Sequence, residues 1–283
     1  MTSTSTSNWI QIPRPNPTAR WRLFCFPYAG GSARVFYSWL EKLDTDIELC
    51  PVELPGHGRR LAESPYTRLF PLVEAIAGEI APFLDGVKGT GPFSYGDATR
   101  TDHRAYAFFG HSMGALLAFE LTLHLREQEM TLPDHLFLSG RRPPQFPDDD
   151  PPTANLSDAE LIEKLRWLRG TPPEILENEE LRELLFPVLR ADFAVCETYE
   201  HTWRDPLPCP ITAFGGRRDP ATRQGELRQW RHHTSAEFSK KVFGGNHFFL
   251  HSARDRLLPA IAQQLKSKDN SKENNKKRWF DLR

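Results

Sequence analysis

The sequence has almost no excess of either charge: 36 lysines and arginines stand against 37 aspartates and glutamates, for a formal net charge of -1. A chain so balanced lacks the global basic field that non-specific nucleic-acid binding uses, so no nucleic-acid partner is expected. Cysteine is also scarce. The four cysteines, Cys25, Cys50, Cys196 and Cys209, lie far apart with no C-x-x-C pair. They read as buried thiols in a reducing compartment. No apolar run is long enough to span a bilayer, and "MTSTSTSNWIQIPRPNP" has neither the basic start nor the apolar stretch of a secretory signal. A cytoplasmic chain with no membrane partner is the expectation.

What is present is alternation. "WRLFCF", "IELCPVEL", "AYAFFG", "HLFLSG", "ITAFGG" and "AEFSKKVF" read as strands, most with little polar alternation, as strands covered on both faces do. Between them "ARVFYSWLEKL", "LFPLVEAIAGEIAPFL", "MGALLAFELTLHLREQ" and "ARDRLLPAIAQQL" carry apolar residues at helical spacing. The pattern predicts an α/β fold, a mostly parallel sheet with helices on both faces. At 283 residues the chain is long enough for one such domain, assigned to 21–265. The N-terminal extension, 1–20, and the charged tail, 266–283, are expected to be flexible.

One interval breaks the alternation. From about 141 to 205 there is a Pro/Asp-rich stretch and then "LSDAELIEKLRWL" and "ENEELRELLFPVLRADFAVCETY", both helical in period. Ser157 or Asp158 can cap the first helix, and Pro187 should kink the second. The interval is either a helical lid or a helical subdomain that only covers apolar surface. As a lid, it would turn Trp167, Leu168 and Phe193 toward a substrate. A second long connection, 85–104, is rich in turn residues and reads as a surface loop.

"AYAFFGHSMGALLAFEL" sets G-x-S-x-G at a strand-to-helix corner. In that elbow a serine is held in an unfavourable backbone conformation so that its hydroxyl projects above the sheet. Ser112 is thus the candidate nucleophile. A serine needs a base, and the base an orienting acid. Asp219, after "ITAFGG", and His247, after "KVFGG", follow in the order and at the strand ends where the α/β-hydrolase arrangement puts acid and base. Asp192 and Asp205 follow no strand and read as helix surface and loop. His251 lies four residues after His247, but no glutamate stands between them as in H-E-x-x-H, so no metal is expected. An oxyanion hole needs two backbone N–H groups. Met113, after the nucleophile, supplies one; Ala29, in the turn "FPYAGGS", is the candidate for the other, with Tyr28 lining the pocket. The same Gly-Gly turn would also serve merely to open a helix, and no G-x-G-x-x-G or Walker pattern follows this strand.

"LFCFPYAGGSARVFYSWL", "CPVELPGHGRR", "FFGHSMGALLAFEL", "HLFLSGRRPP", "GGRRDP" and "GGNHFFL", in that order, resemble the type II thioesterases, the free-standing editing hydrolases of nonribosomal peptide and polyketide assembly lines. The resemblance implies an α/β-hydrolase fold and a Ser112–Asp219–His247 triad with Ala29 and Met113 as oxyanion donors. It implies as substrate an acyl or aminoacyl thioester on the phosphopantetheine arm of an acyl or peptidyl carrier protein. No cofactor is implied, and a monomer is expected. Three other readings stay open: a medium-chain fatty acyl thioesterase, a small-molecule serine esterase, and a non-catalytic binding protein on the same fold.

Overall fold

The computed structural model describes residues 7–84, 104–146 and 152–280. Six parallel strands form one sheet: β1 (Trp21–Phe26), β2 (Ile47–Pro51), β3 (Ala105–His111), β4 (His135–Ser139), β5 (Ile211–Gly216) and β6 (Phe238–Phe243), in the order β2-β1-β3-β4-β5-β6. The near absence of polar residues in the inner strands has a direct cause. In β1, Trp21, Leu23 and Cys25 enter one apolar core, while Phe24 and Phe26 enter a second core on the opposite face. In β3, Ala107 and Phe109 divide from Tyr106 and Phe108 in the same way. Both faces are covered, so alternation sorts apolar residues between two cores rather than apolar from polar. β6 is different: it is an edge strand, its Ser239, Lys240 and Lys241 only partly covered, and lysines on an edge discourage pairing with another chain.

Helices α1 (Leu69–Leu84) and α2 (Met113–Glu127) pack on the first core, and α2 is buried along almost its whole length. The stretch "ARVFYSWLE" was expected to be helical and forms a 3-10 helix, Ala33–Glu41, whose Phe36 and Trp39 stack edge to face and fill the second core. Between β4 and β5 lies the helical interval, with α3 (Asp158–Leu168), α4 (Pro173–Glu177) and α5 (Glu179–Glu197). Ser157, rather than Asp158, caps α3, in a capping box with Glu160. Asn178 caps α5, which carries Pro187 inside its span. Leu161, Leu165, Leu176, Phe186 and Leu189 give this interval a small core of its own. After β5 come α6 (Gln224–Leu227) and a 3-10 turn, and after β6 come α7 (Phe249–Ser252) and α8 (Arg254–Phe280).

The two ends of the described chain meet the domain in different ways. Residues 7–20 of the extension are tied to the domain: Trp9 and Ile10 are buried, Ile10 bridges Val52, and the Gln11 N–H donates to the Pro51 carbonyl at 2.9 Å. Two apolar residues in a polar extension suffice, since each buried side chain of that size contributes about 1.5–3 kcal/mol. At the other end α8 continues through the polar tail to Phe280. Extending a helix already nucleated on the core fixes one residue per added hydrogen bond, so a polar continuation costs little. The loop expected at 85–104 lies outside the described residues except for Arg104, which donates to Glu48 at 3.0 Å.

Candidate active site

The elbow is built by what its glycines omit. A β-carbon on Gly110 would lie 2.0 Å from the Gly114 carbonyl oxygen, and one on Gly114 would lie 2.1 Å from the Phe26 carbonyl oxygen. No side chain is possible where β3, α2 and β1 pass so closely. Ser112 sits between them at φ 55, ψ -115, in the positive-φ region that only glycine occupies without strain. Such strain costs on the order of 1–3 kcal/mol. It persists because the Ser112 N–H donates to the Ser139 carbonyl at 2.8 Å and the Ser112 carbonyl accepts from Ala115 at 3.0 Å. Met113 is the first residue of α2, where a backbone N–H has no partner within its own helix.

His247 follows β6, and its Nδ1 lies 3.0 Å from both Oδ1 and Oδ2 of Asp219, whose side chain is fully buried after β5. A base whose Nδ1 is taken by a carboxylate presents Nε2 as the working nitrogen. Ser112, Met113, Ala29, Tyr28 and His247 line one cavity of about 580 Å³, a volume suited to a small organic ligand. Asp219 does not line it and lies behind His247. Trp167, Leu168 and Phe193 line the same cavity from the helical interval, though Trp167 is half exposed. The Tyr28 ring stands edge-on to Phe248, and its hydroxyl lies 3.2 Å from His251 Nε2. Burial raises the Tyr28 phenol above its ordinary pKa. The Tyr28–Gly31 turn is closed by the Gly31 N–H donating to the Tyr28 carbonyl at 2.8 Å, with Gly30 at φ +76, the signature of a type II turn.

Several participants escaped the sequence reading. Asp192, read as helix surface, is buried; its Oδ2 lies 2.8 Å from His57 Nε2 and accepts the Gly30 N–H at 2.6 Å. The correction has a simple basis. α5 leans across the loops after β1 and β2, so the face that carries Asp192 meets protein rather than water. His57 sits between two positive-φ glycines, Gly56 and Gly58, and that flanking was the available signal. Burial alone would lower the His57 pKa, but the hydrogen bond and charge of Asp192 outweigh it and the net shift is upward. His111, inside the elbow, is fully buried with Nδ1 2.9 Å from Ser139 Oγ, and its ring centre lies 5.1 Å from that of His247. Burial first, then the charges of His247 and His251, hold it well below the ordinary histidine range. Phe248 packs where Gly170 has no β-carbon, joining the end of α3 to the base loop. Among the described residues no three His, Cys, Asp or Glu side chains gather as a metal would need, and no helix is long and apolar enough to cross a membrane.

A family model described as "Thioesterase domain" matches residues 21–94 and 95–268. A curated relative from Brevibacillus parabrevis, Linear gramicidin dehydrogenase LgrE, is 42% identical over 269 residues, covering 94% of this chain and 95% of its own. The RedJ thioesterase of the prodiginine pathway in Streptomyces coelicolor superposes with a TM-score of 0.75 at 38% identity, covering 89% of this chain and 91% of its own. The type II thioesterase BorB of the borrelidin cluster gives a TM-score of 0.74 at 35% identity, covering 91% and 97%. A medium-chain S-acyl fatty acid synthase thioesterase of Rattus norvegicus is more distant, 28% identical over 243 residues.

Proposed function

Because the chain belongs to the thioesterase family, and within it resembles the type II members most, we propose that it hydrolyses acyl or aminoacyl groups from the phosphopantetheine arm of acyl or peptidyl carrier proteins. It thereby clears misprimed or stalled nonribosomal peptide or polyketide assembly lines. One observation carries the chemistry: a strained serine shares a cavity with an imidazole whose other nitrogen is held by a buried carboxylate. His247 Nε2 takes the Ser112 proton as Oγ attacks the thioester carbonyl. Asp219 holds the imidazole in the tautomer that can accept this proton and stabilises the imidazolium that forms. The N–H groups of Ala29 and Met113 receive the oxyanion, an interaction that strengthens only as the transition state is reached. His247 then gives its proton to the departing thiol sulfur, leaving the acyl group on Ser112. Water, deprotonated by His247, releases the acid and restores the serine. The triad needs no cofactor for these steps. The enzyme acts in the cytoplasm as a monomer, beside the carriers it serves.

The test compares the same acyl group on a phosphopantetheinylated carrier, on CoA and as a p-nitrophenyl ester, with wild type and Ser112→Ala in parallel. A Ser112-dependent preference for the carrier thioester is expected. Preference for the oxygen ester, or activity that survives the substitution, overturns the reading.

A further inference from the structure

One fully buried histidine has no part in the proton transfers described above. His111 ends β3, next to Ser112, and shares a face of that strand with Ala107 and Phe109. Its ring therefore enters the second apolar core, where Phe249 stands edge-on with ring centres 5.5 Å apart. Imidazole is a costly filler in such a place, because each nitrogen must find a partner or stay desolvated. Nδ1 meets Ser139 Oγ at 2.9 Å, and Ser139 is the register partner of His111 in β4. Nε2 is buried with no hydrogen-bond partner among the described residues, and the His247 main chain is the acceptor that acts on the ring. Room for the ring comes from Gly140, at φ +61, where a β-carbon would lie 2.5 Å from His111 Cε1.

Ser139 thereby holds two groups at once. Its carbonyl accepts the Ser112 N–H at 2.8 Å, and its hydroxyl meets His111. The His111 ring in turn meets the base loop: its centre lies 5.1 Å from that of His247, with 53° between the planes, and 6.3 Å from that of Phe248. Ser112 follows β3 and His247 follows β6, and two strands separate β3 from β6, so no single ladder sets nucleophile against base. The carboxylate at Nδ1 holds one atom of the His247 imidazole, and a ring held at one atom still tilts. Resting on the thioesterase reading, we propose that His111 is a positioning residue: anchored by Ser139, it backs the His247 ring and aims Nε2 at Ser112 Oγ. Ser139 is then the common reference for nucleophile and base. Tyr28, His247 and His251 are the titratable groups around the ring. Burial, and then the charges of the two histidines, keep His111 neutral, so it backs the imidazolium without repelling it.

The experiment pairs steady-state hydrolysis of acetyl-pantetheine with the rate constant for modification of Ser112 by a fluorophosphonate, which needs the serine and its base but no thioester. Each variant is measured well below its melting transition, so the rate constant reports folded molecules. Ser139→Ala, which keeps the main-chain carbonyl, should lower kcat and the modification rate constant about tenfold, as for one lost hydrogen bond. His111→Phe, which keeps a ring without its nitrogens, should lower both about a hundredfold, the scale of a misplacement near 1 Å, with KM little changed. The double variant should lose no more than His111→Phe alone, because both substitutions break one path. Losses that multiply in the double variant, losses confined to KM, or variants that keep the wild-type kcat and modification rate overturn the role. So does a wild type that the fluorophosphonate leaves unmodified at Ser112, which removes the nucleophile itself. If Ser112 is modified and no thioester is hydrolysed, only the thioesterase reading falls, and the modification rates still decide the role of His111.

Discussion

Two buried aspartate–histidine pairs lie at this cavity and are wired in opposite ways. In one, Asp219 holds His247 by Nδ1 and leaves Nε2 to the cavity. In the other, Asp192 takes His57 by Nε2 at 2.8 Å, while His57 Nδ1 lies 3.0 Å from the Pro55 carbonyl oxygen. Both of its nitrogens are occupied, so His57 has none left for a substrate. The Asp192 carboxylate also accepts the Gly30 N–H, which ties α5 to the turn that carries Ala29. On the proposed mechanism, the same residue types make a base in one place and a strut in the other. An imidazole is a proton carrier only where the protein leaves one of its nitrogens unspent.

The comparison breaks most sharply at Ser112, the proposed nucleophile. Ser112→Ala is expected to lower kcat of thioester hydrolysis by about three to six orders of magnitude with melting temperature nearly unchanged. Next, Asp219→Asn should cost about 10³–10⁴ in kcat through the wrong imidazole tautomer, again with little loss of stability. Asp192→Asn should do the reverse. It leaves a buried histidine without its counter-charge, so thermal unfolding should show a loss of about 3–5 kcal/mol, roughly 10 °C in melting temperature, with kcat affected far less. If Asp192→Asn instead loses activity as Asp219→Asn does while keeping its stability, the two pairs are not different in kind.

The pH dependence of unfolding sharpens the same contrast. His57 has a folded pKa raised above 6.5, so its contribution to stability is whole below 6.5 and is lost as pH rises through the folded value. Asp192→Asn should flatten that alkaline decline. His111, lowered by burial, and His233, lowered by burial to about 4, act with the opposite sign, and stability should fall as pH drops below 6.5. Chemical denaturation between pH 5 and 9, an interval around the histidine range, would reveal both limbs. The smallest effect is expected beside the strut. Phe193→Ser, adjacent to Asp192 but lining the cavity, should change the relative kcat/KM for long and short acyl chains by about tenfold, a ratio that loss of folded protein leaves untouched.

The parts of this arrangement that lie along the chain were legible in it. Strand, tight glycine corner and buried helix are contiguous around Ser112, and Asp219 and His247 each stand just after a strand, so order and local pattern suffice to propose them and to anticipate the contact between the last two. Asp192 and His57 are not legible in that way. A single aspartate in an amphipathic helix looks the same whether the helix face meets water or another loop, and only the crossing of α5 over the β1 and β2 loops decides it. That Arg141 and Arg223 line the same cavity is hidden for a related reason: they belong to different connections, which the adjacency of β4 and β5 brings together. The docking of Trp9 and Ile10 likewise depends on a bridge to Val52 that no local pattern announces.

That adjacency bears on how such a protein can change. The helical interval leaves the sheet at the end of β4 and returns at β5, which are hydrogen-bonded neighbours. Its length is therefore free of the sheet: residues can be added to it or removed without shifting the register of any strand pair. The elbow, by contrast, is fixed by carbonyl oxygens about 2 Å from where a β-carbon would fall. A lineage or a designer can thus exchange the roof over the substrate while inheriting the reactive corner intact, so new acyl preferences are reached by altering one connection rather than by rebuilding the sheet.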